Sequence, residues 1–127
     1  IHRQWPMIVI MQSTTDGATR AVEIGLAAKL FDGFADRTRL AILVELSAGE
    51  QRVTDLVTAL AGSQGNVSGH LACLKECGLV RDRRDGRQVF YSISRPEVID
   101  VLRAAEALLA FTGERIELCP NYRHDLP

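Results

Sequence analysis

No run of about 20 apolar residues occurs in this 127-residue sequence, so it offers no membrane-spanning helix. The longest candidate, the five apolar residues from Met7 to Met11, is far too short. No signal-peptide pattern is present either. Cysteine is scarce: there are three, an odd number, which argues against a disulfide framework and for reduced thiols in a cytoplasmic protein. Net charge is nearly absent, at −1, so the chain as a whole does not advertise a polyanionic partner. Lysine is almost missing, with only Lys29 and Lys75 among 15 basic residues. An arginine bias suits bidentate phosphate contact, and it equally suits a GC-rich genome. No oxyanion motif accompanies any cysteine, which leaves no basis for a thiol enzyme.

What is present is one domain of ordinary size, 46% apolar, with a small core that dimerisation would help. Its charge is unevenly spread. Residues 64–95 carry six basic side chains against three acidic ones, and residues 96–127 the reverse. A basic middle and an acidic end fit one anionic partner at one surface.

The basic middle also holds the clearest pattern. In GNVSGHLACLKECG, Val67, Leu71, Leu74 and Gly78 recur at helical spacing and form an apolar stripe. His70, Cys73 and Cys77 fall together on a flank about 60–120° away. Cys73 and Cys77 are one turn apart, with Cβ atoms about 5–6 Å from each other. Two thiolates at that spacing can close on one soft ion with bonds of about 2.3 Å or somewhat longer. Free cysteines are also common small core residues, so inert burial is the competing reading. Gln64, Asn66, Ser68 and Gly69 form a polar, small leading edge of the kind that enters a DNA groove.

The flanking segments fit around this helix. Residues 1–16 match nothing that follows and are expected to be a flexible arm. Residues 17–34 place Val22, Leu26 and Leu30 on one face, widened by Ile24, Ala27, Ala28 and Phe31, a candidate dimer contact. Asp36 is placed to cap the helix DRTRLAILVEL, which Gly49 ends. Arg37 and Arg39 suit solvated or structural roles ahead of phosphate contact. VTDLVTAL is a short helix, with Thr54 or a neighbour as its cap. The turn AGSQG, with Ser63 as cap, joins it to the thiol helix as a helix-turn-helix.

After the thiol helix, Asp85-Gly86 predicts a type I′ hairpin turn, with Val89, Tyr91 and Ile93 alternating inward. The tip RDRRDGR, with Arg81, Arg83, Arg84 and Arg87, is a basic wing suited to phosphates or a minor groove. Pro96 opens a last helix over residues 96–111. There Val98, Val101, Leu102, Ala105, Leu108 and Leu109 form a second candidate dimer seam. The domain therefore spans residues 17–111, and residues 112–127 form a tail. Cys119, preceding Pro120, is expected on an extended arm.

The elements ADRTRLAIL, SQGNVSGHLACLKECGLV and DGRQVFYSI occur in order and at the right spacing. From about Val22 to about Leu109 the chain resembles the ArsR/SmtB family of metal-sensing repressors. That resemblance implies a mainly α, winged helix-turn-helix homodimer that binds double-stranded operator DNA and no membrane. In such a dimer Gln64, Asn66 and Ser68 would reach bases or phosphates, and Arg81, Arg83, Arg84 and Arg87 would add wing contacts; His70 suits packing or a hydrogen bond near the DNA surface ahead of metal ligation. One subgroup uses Cys in the segment matching EQRVTDL, which has none here; another uses Asp and His on the last helix, where Asp100 stands without a His. The cysteines are similar instead to those of CmtR-type cadmium/lead sensors, which implies Cys73, Cys77 and Cys119 as ligands. Cd(II) or Pb(II) is the expected effector, with As(III) or Zn(II) behind them. A thiol redox sensor and a winged-helix factor with inert cysteines are the alternatives.

Overall fold

The computed structural model describes residues 16–119. Residues 1–15 of the expected arm and residues 120–127 of the tail lie outside the described residues. The chain divides into two compact units, Ile1–Asp32 and Gly33–Pro127. The first is described along the helix α1 (Asp16–Ala35), rich in the helix-favouring residues Ala18, Ala21, Ala27 and Ala28. On it Val22, Ile24, Leu26, Leu30 and Phe31 are exposed.

In the second unit, α2 (Arg37–Leu46) starts at Asp36, whose carboxylate accepts from the Thr38 and Arg39 amides at 2.9 and 3.0 Å. This fills two of the bonding vacancies of a helix N-terminus. The strand β1 (Gln51–Arg52) leads directly into α3 (Val53–Leu60). Its cap is Arg52 rather than Thr54, and the Asp55 carboxylate reaches back to the Arg52 amide at 3.2 Å. Asp55 also pairs with the Arg52 guanidinium, a contact that selects the earlier cap. At the end of α3, Ala61 takes a left-handed conformation, φ 53°. It turns the chain through Gly62 into α4 (Gln64–Glu76), capped by Ser63 as expected.

Strands β2 (Val80–Asp85) and β3 (Gln88–Ile93) form the wing, and β1 adds to β3 to give an antiparallel sheet in the order β1-β3-β2. The register pairs Asp85 with Gln88, so the two turn residues are Gly86 and Arg87. The expected Asp85-Gly86 turn is therefore shifted by one. Only Gly86 has a positive φ, 64°, which is what a type II′ turn asks of its first central residue. Tyr91 and Ile93 pack on the core as expected, but Val89 does not join it.

The last helix, α5 (Pro96–Phe111), opens on Pro96 and stops before Gly113, φ 91°. The core gathers Ile42, Leu43 and Leu46 from α2 and Leu56 from α3. Val67, Leu71 and Leu74 come from α4, Leu79 and Val80 from the start of the wing, and Val98, Ile99 and Leu102 from α5. Val98 and Leu102 of the expected dimer seam thus belong to the core of their own chain. Val101 and Ala105 are half-buried, and Leu108 and Leu109 are exposed. At this helix's apolar spacing the side chains divide between two directions rather than one. Among the described residues, no helix is long and apolar enough to cross a membrane.

Candidate nucleic-acid interface and thiol pair

Helix α4 is anchored by one face. Val67, Leu71 and Leu74 are fully buried, each worth about 1.5–3 kcal/mol of apolar transfer. This leaves Gln64, Asn66 and Ser68 exposed on its first two turns, on a helix whose rotation is fixed by the core. A cleft of about 200 Å³ opens beside Gln64, lined also by Arg52 and Thr54 at the start of α3 and Arg87 of the wing. The first residue of the reading edge and the wing tip thus share one surface. A hydrogen-bonding edge beside a guanidinium suits a groove and its flanking phosphates.

The four wing arginines are not equivalent. All four are exposed, but Arg83 also meets Glu50 with two bonds, 2.7 and 2.8 Å, and lies over the Phe90 ring at 4.5 Å from its centroid. The Arg83 bond holds the Glu50 carboxyl below its ordinary range. Arg83 therefore straps the wing to the α2–β1 connection with its charge already answered.

His70, expected near DNA, is half-buried and turned to the junction of α1 and α2. Its Nδ1 lies 3.5 Å from Arg39 Nη1 and 3.7 Å from the Asp36 carboxylate. Arg39 also donates through Nε to the Gly33 carbonyl at 3.3 Å. Arg39 thus makes structural contacts, one of the roles its sequence position suited.

Cys73 and Cys77 are half-buried, one turn apart, at the far end of α4; the Cys77 amide donates to the Cys73 carbonyl at 3.0 Å. Cys77 is the C-cap, and Gly78 follows with φ 81°, so Gly78 terminates the helix rather than extending its stripe. Gly33 approaches closely here: a Cβ on it would stand 2.9 Å from Leu79 Cδ1 and 3.6 Å from Cys77 Sγ.

Cys119 is elsewhere. The segment after α5 has no regular structure through Glu117 and then returns to the core, where Cys119 is fully buried and Leu118 partly so. Their amides both donate to Glu106 Oε2 of α5, Cys119 at 3.1 Å and Leu118 closer still. None of the three cysteines is in a disulfide. Among the described residues of one chain, no three His, Cys, Asp or Glu side chains gather as a metal site.

Sequence reasoning missed Glu50, Asp36 and Arg39 as partners of Arg83 and His70, and it missed Glu106. Only Glu106 carried a signal, as a lone acid inside the apolar seam of α5.

A buried core drawn from four helices, one of them a polar-edged reading helix, together with a basic β-wing defines a winged helix-turn-helix DNA-binding regulator. The family model described as "Bacterial regulatory protein, arsR family" matches residues 36–82. The chain is 38% identical over 92 residues to a probable mercury resistance operon repressor of Streptomyces lividans, covering 72% of this chain and 74% of that protein. It is 36% identical over 104 residues to the HTH-type transcriptional regulator CmtR of Mycobacterium tuberculosis, covering 72% and 88%. Among solved structures it is similar to the homodimeric winged helix-turn-helix domain of a possible ArsR-family regulator from Mycobacterium bovis. There the TM-score is 0.67 at 28% identity, over 72% of this chain and 84% of the other. The chain belongs to the ArsR family of bacterial regulatory proteins: it is a DNA-binding transcriptional regulator, not an enzyme.

Proposed function

We propose that this protein is a cytoplasmic, homodimeric repressor released from a two-fold operator by a soft metal ion. In the DNA-bound state the two α4 helices enter successive major grooves about one helical turn apart. Gln64, Asn66 and Ser68 meet base edges or phosphates, and Arg81, Arg84 and Arg87 add wing contacts. The ion is held by the thiolates of Cys73 and Cys77, with Cys119 as third ligand. Three soft anionic sulfurs favour Cd(II) or Pb(II), with As(III) or Zn(II) less suited.

The observation that carries this reading is that both half-buried thiols stand one turn apart at the end of the same helix whose other end is the exposed reading edge. An ion bound there acts on the element that touches DNA. The chemistry of that pair fits a thiophilic ion. With Cys119 buried against α5 and no three-ligand cluster among the described residues, completing the set requires either movement of the tail or a second copy of the chain. The relatives named for mercury resistance and as CmtR support a metal effector in general.

Operator and ion are then negatively coupled, by about 1–3 kcal/mol or more. The test is operator affinity with and without Cd²⁺ for the native protein, Cys77→Ser and Cys119→Ser. The native protein should release DNA and both variants should hold it. Equal release by native protein and Cys77→Ser would place the site elsewhere.

A further inference from the structure

A carboxylate only 5% exposed, on the helix that also gives Val98, Ile99 and Leu102 to the core, needs a reason to be there. Glu106 spends one oxygen on two consecutive tail amides, those of Leu118 and Cys119. These bonds fasten the point at which the tail returns, and they put the Cys119 thiol at 0% exposure among core side chains. No three His, Cys, Asp or Glu side chains gather among the described residues of one chain, so this thiol joins the Cys73–Cys77 pair of its own chain only by leaving its pocket. Removing the Glu106 oxygen would leave two amides without this acceptor in the docked state, whereas solvent would satisfy them in the undocked one.

We propose that Glu106 is a latch: it docks Cys119 in the core of its own chain, and ion binding at the Cys73–Cys77 pair draws Cys119 out against it. The second half rests on Cys119 being the third ligand; the first half does not. Glu106 is thus a positioning residue that sets how readily the effector is captured, and the docked tail is the ion-free state. The step involves no redox change: the Cys119 S–H bond breaks and its proton goes to solvent, the sulfur takes the place of a water on the ion, and two amide–carboxylate bonds give way to amide–water and carboxylate–water bonds.

The latch is tested without metal in the full-length Cys73→Ser/Cys77→Ser protein, where Cys119 is the only thiol. Iodoacetamide labels a buried thiol in proportion to its open population. Glu106→Leu should raise the labelling rate about tenfold or more, and Glu106→Gln, which keeps an acceptor oxygen, should raise it less. Equal rates in proteins that melt cooperatively would overturn the latch. Should Glu106→Leu not fold, hydrogen exchange on the native chain decides: the Leu118 and Cys119 amides should be protected, and free exchange at both sinks the idea.

The coupling to effector is read separately by Cd²⁺ titration of the three-cysteine protein. Glu106→Leu should bind Cd²⁺ more tightly by a factor similar to its labelling change. Weaker binding would mean that Glu106 holds Cys119 in its ligating position, and would overturn the competition. If labelling accelerates while neither Glu106→Leu nor Cys119→Ser alters Cd²⁺ affinity, the latch stands and Cys119 is no ligand.

Discussion

Asp36 does two jobs with one carboxylate. It caps α2 through the Thr38 and Arg39 amides, and it faces the half-buried His70 of the reading helix across the α1–α2 junction. The Arg39 amide bond holds its carboxyl below the ordinary value of 3.8; the Thr38 amide and the charges of His70 and Arg39 push the same way against some burial. A carboxyl with a depressed folded-state pKa stabilises the native protein fully above its unfolded value. That contribution is lost as pH falls from about 3.8 through the lower folded value. Asn is an equally good cap but carries no charge. Asp36→Asn should therefore keep most of the thermal stability at neutral pH and show a shallower loss of Tm on acidification. Melting curves of both proteins from neutral pH to below 3.8 check this. A variant that loses stability in parallel with the native protein would show that the charge contributes nothing.

Among the elements, the wing shows most clearly what was legible in the sequence and what was not. The caps at Asp36 and Ser63 and the helix start at Pro96 depend on residues within one turn, so local spacing revealed them. The hairpin was equally visible, but its register slipped by one because Asp-Gly and Gly-Arg both offer a glycine. Cross-strand pairing along Val80–Asp85 and Gln88–Ile93 decides between them. Strand β1 is two residues long and has no period to detect. The roles of Arg83 and His70 depend on partners 33 and 31 residues away, which no local pattern encodes. The same distinction separates the wing arginines in function. Arg84→Ala and Arg87→Ala should each lower the slope of log affinity against log salt by about one, if each guanidinium meets one phosphate. Arg83→Ala should leave that slope nearly unchanged, because Glu50 already neutralises it. Operator titrations at several salt concentrations separate the two. A full unit lost with Arg83 would mean that Glu50 releases it to DNA.

For the molecule as a whole, the exposed apolar side chains matter most. Leu26 of α1 is 66% exposed, and Leu108 and Phe111 of α5 are 70% and 90% exposed, although isolated exposed leucines need no explanation. Exposed on the first and on the last described helix, and with a homodimeric ArsR-type neighbour among solved structures, each group fits a face that a second copy would cover. The same helix α5 supplies Leu102, 1% exposed, to its own core. One helix thus serves folding with one face and, on this proposal, assembly with another, and substitutions on the two faces should fail differently. Leu102→Ala opens a cavity and should cost about 2–5 kcal/mol of folding stability. Leu108→Glu removes nothing from the monomer core, so it should leave far-UV circular dichroism intact while shifting sedimentation from dimer to monomer. Operator affinity should fall with it, because two half-sites are no longer held by one particle. A Leu108→Glu protein that sediments as a dimer and binds operator normally would show that the two copies meet through some other surface.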